Sequence, residues 1–555
     1  MATPRLPSPR HAAAHQLPTS RLWTLDRRAF LRQVGVLGVA AGAGGALLSA
    51  CNPDEIAEDP GAQEQDASTL STFSIRVVQD IENLDPGFLP SHVDTKVMLC
   101  VAEGLLAFRP RTTEVVNELA EEFESSEDGL THEFKLKEGI PFHGDYGEVT
   151  AEDVKFSFER IAGLTDPPLE ATYRDDWRAL EEVEVVDEHS GVIRLREPFA
   201  PLMVTTIPSQ VGMIMSRAAW EDRGDDLATN PIGTGPYEFA EWQRGELIVL
   251  QRFADWGGAA LEWAEEPQWE TIHLHPIADD SSADVAMETG EVQFGDIAHA
   301  SVDRFVDDEQ FEVEKQLTLD YGWVGFNVTD DVLADVNVRA AIRQALDIDS
   351  MIQAAFEGHT TRARALISPE MPIGYWEDAP RYERDIDAAR ELLDEAGVDA
   401  LSLEMSIVEE PGSRVIAQVV QSNLADLDID VSIRLREPAE MREQLGALQL
   451  FYFSFSNSAD PSWATVWFTT DQIDEWNFMS WSNDEFDQLH EEAIEELDED
   501  RRHDVYVRMQ EIMDEDAVAA WVMYRTNHYA HLPEIEPSLL TAHPGKYRPW
   551  DIRAR

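Results

Sequence analysis

The spacings in this chain that could support chemistry are few, and most are incomplete. His273-Leu274-His275 puts two imidazoles on one face of a strand, a spacing compatible with a metal ion. No cysteine or third histidine stands close, so a structural role is expected for the pair. Gly233-Thr234-Gly235-Pro236 lacks the Gly-Lys-Ser/Thr ending of a phosphate loop, and Pro236 removes an amide donor. His490-Glu491-Glu492-Ala493-Ile494 lacks the second histidine of a zinc-protease helix. No Gly-x-Ser-x-Gly elbow occurs. The two cysteines, Cys51 and Cys100, supply neither a disulfide framework nor a zinc ribbon. Cys100 lies in the apolar run 97–101 and is expected to be a buried free thiol. These motifs point to no catalytic centre, cofactor or metal, which argues against an enzyme. A hydrolase whose Ser, His and Asp come from distant positions is the alternative from another class.

Charge narrows the partners. Asp and Glu number 108 against 43 Lys and Arg, for a formal net charge of −65. A polyanion of this size repels phosphates, which excludes a general nucleic-acid binder. The only lysines are Lys96, Lys135, Lys137, Lys155, Lys315 and Lys546, and the other basic residues are arginine. In dilute buffer such a surface repels itself, whereas molar salt cuts the Debye length to roughly 3 Å. A protein made for high salt is expected. The competing reading is an acidic protein from a GC-rich genome, with Arg in place of Lys for codon reasons.

The N-terminus reads as an address. Residues 1–21 form a proline-rich leader, and Arg27-Arg28-Ala29-Phe30-Leu31-Arg32 is a twin-arginine pattern. The uncharged stretch 34–50, 17 residues with five glycines, is short and weakly apolar for a membrane span. It runs into Leu48-Ser49-Ala50-Cys51. A positive start, an apolar middle and small residues before the cut are the parts of a cleavable signal. Residues 1–50 resemble a twin-arginine lipoprotein signal, in which Cys51 (Arg27, Arg28, Phe30 and Leu31 forming the recognition segment) becomes the lipid-carrying first residue. Residues 51–72 are acidic and free of aromatics, the composition of a flexible tether. Nothing beyond Ala50 is long and apolar enough to span a bilayer. An extracytoplasmic body is expected, cell-surface or periplasmic, held at the membrane by a lipid.

A length of 555 residues asks for two or three domains. Strand-like alternation occurs at 73–79, 131–137, 247–252, 271–275 and 322–327, with a hairpin at 183–186 and 192–195. Helices are predicted over 95–106, from a capping box at Thr150, over 337–346 and over 386–396 with Asp385 as its cap. Strands 403–408 and 430–435 flank a helix 413–424, and helices 482–496 and 501–514 follow. Alternating strands and helices favour an α/β architecture.

Five collinear segments resemble the family 5 extracellular solute-binding proteins. They are Asp128-Gly-Leu-Thr-His-Glu-Phe-Lys-Leu-Lys-Glu-Gly-Ile-Pro-Phe-His143, Thr150-Ala-Glu-Asp-Val-Lys-Phe-Ser-Phe-Glu-Arg160, Asn230-Pro-Ile-Gly-Thr-Gly-Pro-Tyr237, Val338-Arg-Ala-Ala-Ile-Arg-Gln-Ala-Leu-Asp347 and Ala388-Ala-Arg-Glu-Leu-Leu-Asp-Glu-Ala-Gly397. The resemblance implies a two-lobed periplasmic-binding-protein-like type II fold with an extra subdomain inserted in the first lobe. It places lobe I at 73–102, 216–320 and 521–555, the inserted subdomain at 103–215, and lobe II at 321–520. It also implies a monomer that captures a small ligand, foremost a peptide, and delivers it to ABC permease and ATPase subunits. A nickel chelate or an oligosaccharide is the alternative ligand.

Peptide-binding members of that family lay the ligand backbone along cleft strands. The matching segment here is Phe451-Tyr-Phe-Ser-Phe-Ser-Asn-Ser-Ala-Asp-Pro461, which makes Phe453, Ser454 and Phe455 candidates. An Asp four residues before the Pro often takes the ligand's ammonium; this chain has Asn457, a dipole without charge. Asp460 could take over that role, or serve as a turn residue before Pro461. Pro90-Ser91-His92 matches another cleft segment, with a solvated loop as the other reading. Trp323, Trp463 and Trp467 fall near the implied cleft, where they could stack on a sugar or an aromatic ligand or simply pack the lobe.

Overall fold

Two long strands, Glu312–Phe326 and Ala519–His531, lie side by side and join the halves of the fold. They pair antiparallel, 312–317 against 526–531 and 321–325 against 519–524, with register shifts between Leu317 and Tyr321 and between Gly322 and Trp323. The computed structural model describes residues 70–555 apart from 258–260, 262, 399 and 544. Arg27, Arg28, Phe30, Leu31 and Cys51 lie outside the described residues.

One sheet runs through both lobes. From one edge its order is Ile429–Leu435, Leu401–Ile407, Leu450–Phe455, Glu312–Phe326, Ala519–His531, Phe294–Asp296, Leu70–Val77, Trp269–Pro276, Leu247–Arg252 and Tyr237–Gln243. The first three lie to one side of the long pair, within the stretch expected as lobe II, and the last five lie to the other side, within the stretches expected as lobe I. The parallel pair Leu401–Ile407 and Ile429–Leu435 is joined by the helix Ser413–Ala425, a crossover of ordinary length. A second, antiparallel sheet stands apart from this one. Its order is Ala120–Ser125, Thr131–Leu136, Ser190–Leu195, Leu180–Asp187, and it has its own core around Phe134, Phe158 and Trp177. In chain order it falls between strands of the larger sheet, in the stretch expected as the inserted subdomain. The fold is the expected mixed α/β, two-lobed type II arrangement.

Local chemistry sets the boundaries. Ile386–Ala396 is a helix because Asp385 accepts from the Ala388 N–H and Gly397 turns left-handed at φ 71°. Asp153 accepts from the Thr150 N–H at 3.0 Å, closing the predicted capping box ahead of Ala151–Ile161. The helix predicted over 95–106 instead spans His92–Val101: Ser91 Oγ accepts from the Val93 and Asp94 N–H groups and starts it earlier. Ser91 and His92 are therefore a cap and a first turn, not a loop. Asn483 caps Asp484–Glu495, and Asp498 caps the longer helix Glu499–Glu515. The first strand opens at Leu70, so residues 70–72 belong to the sheet and not to the tether.

The segment 233–236 has a packing explanation. A Cβ on Gly233 would stand 2.2 Å from the Val101 carbonyl oxygen, and one on Gly235 would stand 2.5 Å from that of Cys100. The Gly235 N–H donates to the Val101 carbonyl at 2.9 Å, which locks the loop onto the end of the His92–Val101 helix. Cys100 is fully buried with a free thiol, as expected. His273 and His275 have ring centroids 6.2 Å apart, and no metal-competent group of three ligand side chains occurs among the described residues. No described helix is long and apolar enough to cross a membrane.

Candidate functional site

A cavity of about 380 Å³ lies where three parts of the chain meet. Lobe I contributes Val78, Gln79 and residues 89–93 with Thr95. The inserted subdomain contributes Tyr173, Asp176, Thr205, Ser209 and Gln210, and lobe II contributes Ser456, Asn457, Ser458 and Trp463. Its size is at the lower end of the range for small-molecule sites. The lobes touch around it: His92 Nε2 lies 3.3 Å from Ser456 Oγ, Arg178 reaches Glu491 at 3.3 Å, and Ile494 of lobe II is buried in the core of the inserted subdomain.

Each wall is fixed by its own element. The start of the His92–Val101 helix forms one, with Ser91 Oγ also donating to Asp94 Oδ2 at 2.5 Å. Asp94 Oδ1 accepts from the Glu82 and Asn83 N–H groups, which folds the preceding loop over the helix. The second wall hangs on Trp177, whose indole N–H donates to the Val211 carbonyl at 3.1 Å and whose ring stacks on Phe158. Thr206 Oγ1 donates to the Asp176 carbonyl at 2.9 Å, fixing the short turn Arg174–Trp177. The third wall is held by Asp320, which lies between the paired parts of the long strands. Its Oδ1 accepts from the Asn457 N–H at 3.0 Å and from Lys546 Nζ at 2.8 Å. Burial pushes the Asp320 carboxyl up, but Lys546 and then Arg525 outweigh it and hold the group below the usual carboxylate range.

The structure divides the residues singled out in the sequence. Ser91, His92, Asn457 and Trp463 come together around the cavity. Trp323 is 1% exposed and packs against Phe451, Phe453, Phe455, Phe468 and Trp521. Phe453 and Phe455 belong to the same aromatic cluster. Ser454 donates to Glu410 at 2.8 Å and accepts from Arg525 at 2.9 Å, away from the cavity wall. Asp460 is fully buried. It caps the short helix Pro461–Thr465 and pairs with Arg502 at 2.6 Å, so its work is that of the turn-residue reading. Trp467 packs edge-on against Trp463 and does not reach the cavity. Sequence reasoning misses Tyr173, Asp176, Thr205, Ser209 and Gln210. They sit in irregular stretches without periodicity, and the polar run Thr205-Thr206-Ile207-Pro208-Ser209-Gln210 is the only signal for any of them.

The electrostatics of the cavity are unequal. Its lining holds no Lys or Arg. Burial, then Lys546, pushes the His92 imidazole down to about 3, so it is neutral at ordinary pH. Burial, then its neighbour Asp175, pushes the Asp176 carboxyl up to about 8.

Residues 114–488 match the bacterial extracellular solute-binding proteins, family 5 (middle). The chain belongs to that family. The dipeptide-binding protein of Escherichia coli strain K12 is 27% identical over 454 residues, covering 76% of this chain and 83% of its own. The glutathione-binding protein GsiB of Salmonella typhimurium is 25% identical over 417 residues, 72% of this chain and 79% of its own. Among solved structures, the periplasmic binding protein DppA from Helicobacter pylori, in complex with the peptide STSA, superposes with a TM-score of 0.75 at 23% identity. It covers 88% of this chain and 99% of that one. The substrate-binding protein CtaP from Listeria monocytogenes gives a TM-score of 0.78 at 20% identity, with coverages of 88% and 99%. These likenesses bear on the fold. Members of the family serve as solute-binding proteins for transport.

Proposed function

We propose that this protein captures a short peptide between its lobes and hands it, chemically unaltered, to the permease and ATPase subunits of an ABC importer. The observation that carries this reading is the cavity between the lobes, walled by amide and hydroxyl groups of the kind that hold a peptide backbone. The dipeptide- and glutathione-binding relatives support it. The lobes are assigned as 73–102 with 216–320 and 521–555, the inserted subdomain as 103–215, and lobe II as 321–520. The register shift between Leu317 and Tyr321 supports a hinge at the first lobe boundary. Ligand favours the closed form only by the extra contacts it makes there.

The experiment is a thermal-shift screen with pools of di- to pentapeptides, paired with solution scattering and recovery of the bound peptide by mass spectrometry. A raised melting temperature, a more compact profile and an intact peptide are expected. No shift with any pool, or a cleaved product, overturns the reading. A sugar ligand is the second reading, supported by Trp463 and Tyr173 in the cavity wall.

We further assign the working place of the protein as the outer face of a membrane, reached through the twin-arginine segment 27–32 and held by a lipid on Cys51. The order of signal, small residues and acidic tether supports this. The mass of the mature N-terminal peptide checks it: a chain that keeps residues 1–50, or an unmodified Cys51, refutes it. The protein is assigned as a monomer suited to high salt, on the strength of its net charge of −65.

A further inference from the structure

Asn457 leaves the expected ammonium acceptor of a peptide receptor without a charge. The cavity supplies an acid elsewhere. Asp176 is the only carboxylate in its lining, and it comes from the inserted subdomain rather than from lobe II. The backbone of Asp176 is tied down by Thr206 and by the buried Trp177 beside it. Its side-chain oxygens have no hydrogen-bond or ion-pair partner among the described residues, and no Lys or Arg lines the cavity to neutralise them. A half-buried carboxyl with no counter-ion keeps its proton until a cationic guest makes the ionised form favourable.

A second, independent observation points to the rest of the guest. Gln210 Oε1, Asn457 Nδ2 and Ser458 Oγ are buried atoms without a partner among the described residues, and all three residues line this cavity. Gln210 is 7% exposed, Asn457 2% and Ser458 4%. Asn457 Oδ1 accepts from the Ser458 N–H at 2.9 Å, which orients the amide and leaves its Nδ2 free to donate. Unsatisfied buried polar atoms call for a partner, and these three line one cavity, where they are available to a ligand. The set comprises one acid that a bound cation would ionise, one amide donor, one amide acceptor and one hydroxyl. It complements a molecule with an ammonium group and, beside it, an amide that both accepts and donates.

We infer that Asp176 pairs with the free α-ammonium of the bound peptide, while Asn457 Nδ2 and Ser458 Oγ serve the peptide's first carbonyl and Gln210 Oε1 an N–H. This rests on the peptide reading above and names the residue that selects a free amino terminus. Asn457 then has a coherent role: it holds the amide, and the charge sits across the cleft. Because the two groups lie on different parts of the fold, a peptide with a free amino terminus spans the cleft. It therefore rewards closure where a blocked one does not.

The test uses the full protein and pairs unmodified di- and tripeptides with their N-acetylated forms in calorimetric titration. The same pairs are titrated into Asp176→Asn and Asp176→Glu. For the native protein, acetylation is expected to weaken binding at least tenfold. In Asp176→Asn the unmodified peptides weaken by a similar factor and the acetylation effect disappears; Asp176→Glu keeps the discrimination. Melting curves confirm that the variants are folded, and the acetylation comparison on the native protein stands even if one is not. Equal binding of the two peptide forms by native protein, or unchanged binding by Asp176→Asn, overturns the role of Asp176 while leaving the peptide reading intact. No binding of either form by native protein overturns both.

Discussion

Asp460 separates two kinds of work that a buried acid beside the cleft could do. The structure gives it three structural ties. It accepts from the Ser462 N–H at 2.9 Å as a helix cap, pairs with Arg502 Nη2 at 2.6 Å, and takes the Tyr506 hydroxyl at 3.3 Å. The Asp460 side chain is 1% exposed and that of Arg502 6%. Asp460→Ala would leave a guanidinium in the core with only the Ala493 carbonyl and Tyr506 hydroxyl for company. Breaking a buried pair from one side costs about 3–5 kcal/mol. Loss of the cap adds about 1 kcal/mol. The expected penalty is therefore about 4–6 kcal/mol, a large fraction of the roughly 5–15 kcal/mol that holds a typical fold.

The pair should also show strong coupling. Most of the cost lies in the stranded charge, so Asp460→Ala with Arg502→Met should recover much of what Asp460→Ala alone loses. Urea unfolding followed by fluorescence measures both. A body with several cores need not unfold in one step, so the quantity compared is the midpoint of the first transition. A ligand-binding Asp460 would behave in the opposite way. If Asp460→Ala unfolds within about 1 kcal/mol of the parent while peptide affinity collapses, the structural assignment of this residue is wrong.

Two further predictions concern charge. Glu103 and Glu118 are both buried beside one another; Glu103 accepts from the Trp256 indole N–H and Glu118 from the Gly104 N–H. Burial, and for Glu103 also the charge of Glu118, raises the two carboxyls to about 8 and about 7. A raised folded-state pKa contributes stability that is whole below the unfolded value and is lost as pH climbs through the folded one. Glu103→Gln should therefore melt higher than the parent in mildly alkaline buffer, by at least about 1 kcal/mol, the worth of one pKa unit, with the gap closing towards about pH 5. A gap that widens on acidification refutes the assignment. Secondly, the melting temperature should climb between about 0.2 M and molar KCl as self-repulsion is screened; a maximum below about 0.2 M would end the high-salt reading.

The elements legible in the sequence are those with one buried and one wet face. The strand Thr131–Leu136 alternates, with His132, Phe134 and Leu136 inward, and its period-2 signal survives. The strand Ala519–His531 is invisible in the sequence because it is covered on both faces and carries buried Thr526, His528 and His531 among its apolar residues. Only the last part of Glu312–Phe326 can be read, since 312–315 is a charged, partly exposed run held in place by its partner strand. The site divides in the same way. Ser91, His92, Asn457 and Trp463 can be found by resemblance because they lie in segments that keep the family's pattern. Asp176 and Gln210 cannot, because they sit in short turns whose positions are set by Trp177 and Thr206 and by no local periodicity.

In the proposed closure, the pair of crossings that joins the lobes also couples the cavity to its hinge. Asp320 lies where the register of the long strands slips, and it ties the Asn457 backbone to Lys546, a residue of the C-terminal segment in lobe I. With all its partners Asp320 is 2% exposed, so neither tie is shared with water. Swinging lobe II away would have to carry the Asn457 loop past this anchor or pivot about it. A pivot at Asp320 leaves the third wall of the cavity attached to the hinge while the wall bearing Asp176 moves with lobe I. The open form would then separate the acid from the amide, and only a ligand that reaches both could draw them together. Selectivity and closure would be two consequences of one separation, which is why a charge on the inserted subdomain can stand in for the one that position 457 lacks.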